Sequence, residues 1–280
     1  MRRGKSLRDK CQLEVGNDTI DHRIVCEEGD DAHFSLASGT GHGINFSFPK
    51  ASEWALTHWC SRVTAGNTQD MPAEGPLLIV CNHPGTYDAL IIFSQVGRRD
   101  IRWISTEIPF LDNLPHTLDH VIFASRSNAH KRMAAMRRGI RHLQAGGTLL
   151  YIGSGQIDPA PAVYPNAAKN IEEWLGGIDF FFRHVPGLRA MPTIVSGVVS
   201  PKWARSAITW LRRKDVDKRR LAEFGQVIKQ MLFPGRLMFT PYVSFAPPVT
   251  FETLRSGELL PRHFTLAGEG CPSPSAVCFL

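Results

Sequence analysis

Much of what narrows this sequence is what it lacks. No apolar run approaches the ~18–20 residues that a helix needs to cross a bilayer; the longest are stubs such as 77–81 and 89–93. The basic N-terminal residues Arg2, Arg3, Lys5, Arg8 and Lys10 are followed by no apolar segment, so no secretory signal is expected. The six cysteines (Cys11, Cys26, Cys60, Cys81, Cys271 and Cys278) form no CxxC pair and no zinc-like cluster. Free thiols in a reducing, cytoplasmic compartment are therefore expected. The histidines His116, His120, His130 and His142 show no clean ligand spacing, so no metal is expected, and His130 and His142 read as solvated. There is no internal repeat and no low-complexity block. No helix-turn-helix, zinc finger or RNA-binding signature is present, and the aromatics are not interleaved with basic residues, so nucleic acid is not an expected partner.

What is present is an ordinary globular composition, 43% hydrophobic and 21% charged, in a chain of 280 residues that is long enough to bury one sizeable core. The net charge of +6 calls for an anionic partner if it calls for any. Two basic stretches carry it. One helix, 129–145, turns Lys131, Arg132, Arg137, Arg138 and Arg141 away from an apolar stripe of Met133, Met136, Ile140 and Leu143, with no acid among them. A second cluster runs over 212–214 and 218–220, relieved only by Asp215 and Asp217.

Periodicity orders the chain. Residues 1–45 read as an extension with a few short strands. A helix is expected over 51–63, where Ala55, Leu56, Trp59, Cys60 and Val63 share one face, followed by a turn-rich linker over 67–76. Strands are expected at 77–81, 101–105, 121–124, 148–152, 191–199 and 241–245. Helices are expected at 86–96, 129–145, 171–185 and 216–232, the second ended by Gly146 and Gly147. Alternating strands and helices predict an α/β fold: a mixed, mostly parallel sheet flanked by helices, with a short helical lead-in, over 46–250. Residues 251–280, rich in Gly, Pro and Ser, read as a loose tail.

One stretch carries chemistry: Leu77-Leu-Ile-Val-Cys-Asn-His83-Pro-Gly-Thr-Tyr-Asp88. An apolar strand ends, His83 falls in the turn after it, and Asp88 falls in the first turn of the next helix. In open α/β sheets, ligands bind at the C-terminal ends of strands. The four-residue gap lets the carboxylate reach one ring nitrogen of His83, fixing its tautomer and leaving the other nitrogen free to accept a proton. This is the His-Asp half of a catalytic triad, with a substrate hydroxyl or amine in place of the serine. Gly153-Ser154-Gly155 invites two other readings. It lacks the flanking glycines of a hydrolase nucleophile elbow, and Asp158-Pro-Ala-Pro161 after it resists the helix that a dinucleotide fingerprint opens.

Over about 75–200, the chain resembles the glycerol-3-phosphate and lysophosphatidate acyltransferase family. Asn82-His83 to Asp88 matches the family's Asn-His-x4-Asp motif. Val121-Ile-Phe-Ala-Ser-Arg126 matches an apolar stretch ending in arginine, and Met191-Pro192-Thr-Ile-Val-Ser-Gly-Val resembles a Pro-containing apolar strand. In place of the family's Phe-Pro-Glu-Gly-Thr-Arg stands Tyr151-Ile-Gly153-Ser154-Gly155-Gln-Ile157, with serine where the glutamate belongs and isoleucine where the arginine belongs. The resemblance implies acyl transfer from acyl-CoA or acyl carrier protein, as co-substrate rather than cofactor, to a hydroxyl or amine of a (phospho)lipid-type acceptor. His83 would be the general base and Asp88 its orienting partner. Arg126 and the turn Gly153, Ser154 and Gly155 would bind the acceptor or the oxyanion. The altered third motif implies a changed acceptor, because serine cannot supply a carboxylate and isoleucine cannot pair with a phosphate. The alternative is a catalytically silent lipid-binding relative. The basic clusters fit an anionic membrane surface, an acidic carrier protein or coenzyme A phosphates. Peripheral association with the inner face of the membrane is expected.

Overall fold

The computed structural model describes residues 48–106, 115–164, 167 and 175–255, together with short strands at 23–25, 34–37, 43–46, 265–266 and 277–278. In chain order the elements are β1 (Arg23–Val25), β2 (Phe34–Ala37), β3 (Gly43–Phe46), α1 (Phe48–Leu56), β4 (Thr64–Gly66), β5 (Leu77–Cys81), α2 (Asp88–Gln95), β6 (Ile101–Thr106), α3 (Pro115–Leu118), β7 (Val121–Ala124) and α4 (Ala129–Gln144). They continue with β8 (Thr148–Ile152), α5 (Leu175–His184), β9 (Arg189–Ser196), α6 (Pro201–Ala204), α7 (Asp215–Leu232), β10 (Tyr242–Phe245), α8 (Phe251–Arg255), β11 (Thr265–Leu266) and β12 (Val277–Cys278).

Seven strands form one sheet in the order β4-β10-β9-β5-β8-β6-β7. The five from β9 to β7 are parallel, and β10 joins antiparallel to β9 with β4 parallel to β10 at the edge. The sheet is thus mixed and mostly parallel, flanked by helices. β1–β3 form a separate antiparallel meander, and β11 pairs with β12.

β5 lies at the centre, and all five of its residues are buried. Its side chains alternate between two cores, as a pleated strand requires. Leu77, Ile79 and Cys81 face a core shared with α1 and α2 through Leu56, Ile91, Ile92 and Phe93. Leu78 and Val80 face the opposite core with Leu143 of α4 and Phe181 of α5. A parallel strand covered on both faces reads as a continuous apolar run, which is why β5 was legible.

Two expectations are corrected. The helix expected over 51–63 spans Phe48–Leu56 instead. Beyond it, Cys60 forms a parallel bridge to Phe239, while the Ser61 and Thr64 amides donate to the Phe239 and Pro241 carbonyls. Pairing with a segment about 180 residues away draws the chain out as β4, in the gap between the expected helix and the expected linker. The apolar face still does its work: Leu56 and Cys60 are buried, and Trp59 stacks on Tyr87 with ring centroids 4.9 Å apart. His142 is not solvated. Its Nε2 lies 2.7 Å from the Asp100 carbonyl and 3.0 Å from that of Thr148, and burial lowers its pKa.

Among the described residues, no helix is long and apolar enough to cross a membrane. The expected helix residues 171–174 lie outside the described residues, as does most of the expected tail.

Candidate active site

The site is built on the end of β5. Asn82, buried just past the strand, donates from Nδ2 to the Val195 carbonyl (2.9 Å) and accepts from the Val195 amide (2.8 Å). The side chain thus imitates a further ladder residue toward β9, holding the chain in place where its backbone turns away. Asn82→Ala would leave a buried amide and a buried carbonyl of Val195 unpaired, at about 1–3 kcal/mol for each stranded group. A lowered denaturant midpoint with unchanged slope is the expected result.

His83 follows. Its backbone is clamped from a distant segment, since its amide donates to Asp158 Oδ2 (2.9 Å) and its carbonyl accepts from the Asp158 amide (2.9 Å). Its ring Nδ1 lies 2.9 Å from Asp88 Oδ2. Asp88 opens α2, where the helix terminus favours a carboxylate. The same oxygen accepts the Gly85 amide at 2.9 Å. With Nδ1–H donating to Asp88, Nε2 is the nitrogen left to act as base. The His83 side chain keeps 26% of its surface exposed, against 2% for Asp88, so the imidazole can be reached from outside while its partner is sealed.

A third element closes the site. Glu223 of α7, buried, accepts the Thr86 amide (2.8 Å) and the Thr86 hydroxyl. Gly85 lies close under Val198, which a Cβ there would approach to 3.2 Å. Arg219, one turn earlier on α7, reaches the Ile157 carbonyl with Nη2 at 3.3 Å. Asp158, Arg219, Pro84 and Tyr164 line a small recess, about 10 Å³, beside His83. Asp158 Oδ1 and Arg219 Nε are buried and without a protein hydrogen-bond partner.

The electrostatics follow from this crowding. Burial alone would lower the His83 pKa, but the hydrogen bond to Asp88 and the charges of Asp88, Asp158 and Glu223 outweigh it, and the net shift is upward. Burial pushes all three carboxyl groups up; His83 and Gly85 pull Asp88 back, the His83 amide and Ser154 pull Asp158 back, and Thr86 pulls Glu223 back. A group whose folded pKa lies above its unfolded value stabilises fully below the unfolded value, and that stability is lost as pH rises through the folded value. Glu223 therefore weakens the fold progressively above its ordinary value of 4.5. Glu223→Gln removes this titration while its amide oxygen can still accept from Thr86. The melting temperature of the variant relative to the native chain should rise as pH climbs above 4.5 and level off once Glu223 has ionised. A difference constant with pH would show that Glu223 is not ionising in a buried place.

The expected acceptor residues are placed unevenly. Gly153, Ser154 and Gly155 follow β8, the strand beside β5, and so lie next to His83. Two of their amides are already used, Gly153 donating to the Cys81 carbonyl and Gly155 to that of Ile152. Those two donors are thus already paired within the protein. The turn instead needs glycine for its shape, with Gly155 at φ +64°. The Ser154 hydroxyl donates to the Gln156 carbonyl at 2.9 Å. Arg126 is exposed just past β7, at the same edge of the sheet but three strands from β5, roughly 14 Å away by strand spacing. Asp158, Glu223 and Arg219 were missed by sequence reasoning. Among the described residues, no group of three or more His, Cys, Asp or Glu could hold a metal ion.

A family model described as Acyltransferase matches residues 62–168, a stretch that contains His83, Asp88, Arg126 and Asp158. Among solved structures, the chain is similar to the 1-acyl-sn-glycerophosphate (LPA) acyltransferase PlsC from Thermotoga maritima. The identity is 17%, over 75% of this chain and 73% of that one, with a TM-score of 0.43. No curated protein matches the chain.

Proposed function

We propose that this chain, whose residues 62–168 match an acyltransferase family model, is an enzyme that moves an acyl group from a thioester donor to the hydroxyl or amine of a lipid-type acceptor. The observation that carries this reading is the pairing of His83 with a sealed Asp88 at the open end of β5. His83 Nε2 takes the proton of the acceptor O–H or N–H as that atom attacks the thioester carbonyl carbon. The new C–O or C–N bond forms, the tetrahedral intermediate collapses, the C–S bond breaks, and the imidazolium returns its proton to the departing thiolate. Only protons and one acyl group move, so the reaction requires no metal, no cofactor and no covalent acyl-enzyme. Placing the two reactants against one base supplies much of the acceleration.

The donor is acyl-CoA or acyl carrier protein, for which the basic faces of α4 and α7 offer complementary charge. Three carboxyl groups (Asp88, Asp158 and Glu223) crowd His83 against one nearby guanidinium, Arg219. That balance favours an acceptor without a phosphate beside its reacting atom. Arg126 would meet only a distal anionic part of such a molecule. A lipid acceptor also brings the protein to a membrane surface.

The experiment is thiol release from palmitoyl-CoA and from palmitoyl-carrier protein, with total lipid extract as acceptor, followed by mass spectrometry of the lipids. A new acylated lipid identifies the acceptor and the productive donor. A folded chain that binds lipid and turns over neither donor would make it a silent lipid-binding relative.

A further inference from the structure

We infer that α7 and the 3₁₀ turn Ala207–Leu211 beside it form an insertion surface for an anionic lipid bilayer. α7 is two-faced. One side carries Glu223, Gln226 and Gln230, all buried and bonded to Thr86, to Ser200 and Val198, and to Tyr87. The other side carries Phe224, Ile228 and Met231, spaced i, i+4 and i+7, and exposed at 61%, 39% and 68%. The turn packs against α7 and adds Trp210 and Leu211, exposed at 81% and 76%. Of ten large hydrophobics exposed among the described residues, eight fall between 208 and 233. Apolar residues scattered singly over a surface mean nothing, but this concentration marks an interaction site.

Charge selects the occupant. Residues 205–236 hold nine Lys or Arg against three Asp or Glu, an excess of six that equals the net charge of the whole chain. Two of those acids are engaged locally, Asp215 with Lys218 (2.9 Å) and Asp217 with Arg220 (3.5 Å), and the third is the buried Glu223. Arg212, Arg213 and Lys214 directly follow Trp210 and Leu211, while Arg220 and Lys229 flank the apolar stripe of α7. An aromatic and aliphatic stripe edged by cations is the pattern that settles at a headgroup boundary, the apolar face buried and the cations on anionic lipid. Because the opposite face of α7 bonds to Thr86, three residues from His83, docking there would bring the base to the membrane that holds its acceptor. This last point rests on the lipid-acceptor reading; the binding itself does not.

The test uses the full chain and vesicles of phosphatidylcholine, alone or mixed with phosphatidylglycerol, in a flotation assay at low and high salt. A variant combining Trp210→Ser, Leu211→Ser and Met231→Ser alters only exposed side chains. Thiol release with a water-soluble short-chain alcohol as acceptor is measured in parallel. The native chain should float with the mixed vesicles, less so at high salt, and the variant should bind more than about tenfold more weakly while keeping its activity on the soluble acceptor. Equal flotation of variant and native chain would overturn the inference. So would a native dimer that the substitutions convert to a monomer without any vesicle binding, since the patch would then join two copies. Weakened flotation with no acyl transfer by either form would retain this surface and reject the catalytic reading instead.

Discussion

His83→Ala should reduce acyl transfer by about 10²–10⁴-fold, the range that a positioned general base contributes, and leave the chain folded. The two halves of this prediction come from different atoms. In the proposed mechanism catalysis depends on the ring, whose Nε2 is left free once Nδ1 is committed to Asp88. The local fold depends on the backbone, whose amide and carbonyl are both held by Asp158 and which alanine retains. A quarter of the side chain is already exposed, so truncation opens little cavity. The cost falls on Asp88, which loses one of its two hydrogen bonds to Oδ2 and keeps that from Gly85. Its carboxyl, already pushed up by burial, should rise further and take up a proton more readily. The measurement is thiol release by native chain and variant in parallel, with unfolding curves on both. Turnover within a few-fold of the native chain would remove His83 from the mechanism, and a variant that does not fold would show that the ring itself holds the turn.

The parts of this architecture legible in the sequence are those whose physics is local. β5, β7 and β8 appear where short apolar runs end at turn residues, and α4 ends at Gly146, which adopts φ +86°. His83 and Asp88 were legible because one turn of chain joins them. β4 was not, because it exists only through Pro241 and the β10 strand beyond it. Asp158 and Glu223 were not legible either. They lie 75 residues beyond His83 and 137 beyond Thr86, and nothing in their own neighbourhoods marks them as site residues. Asp158 did leave a faint trace: it follows a glycine turn at the C-terminal end of a strand, which is where α/β sheets place their sites. Glu223 is one of three acids in a helix with a basic N-terminal half, and only its hydrogen bonds to Thr86 set it apart. At Gly153 and Gly155 the amides are held inside the protein, the first by the end of β5 and the second by the turn itself, which a reading of glycine composition alone does not show.

Asp88→Asn tests whether the pair works as a pair, and it should lower kcat by about 10²-fold or more with the fold intact. Asparagine has no good orientation here. Asp88 Oδ2 accepts from both His83 Nδ1 and the Gly85 amide, so that position requires an oxygen. If the asparagine oxygen takes it, the NH2 falls where Oδ1 now lies buried without a partner, and a buried donor is stranded. If the NH2 takes it, the donor meets the Gly85 amide and forces His83 into the tautomer that places its proton on Nε2, the atom that must be free. Protonation and orientation then separate in the pH profile. In the native chain kcat/KM should climb with pH to a midpoint above the ordinary histidine value of 6.5, because the base must lose its proton and Asp88 holds it on. In the variant that hold is gone, burial dominates, and the midpoint should move down. A larger fraction of neutral imidazole at mildly acidic pH, combined with a lower plateau at every pH, is the signature of a carboxylate that orients the base. A variant plateau equal to the native one would reduce Asp88 to a group that sets the His83 pKa and nothing more.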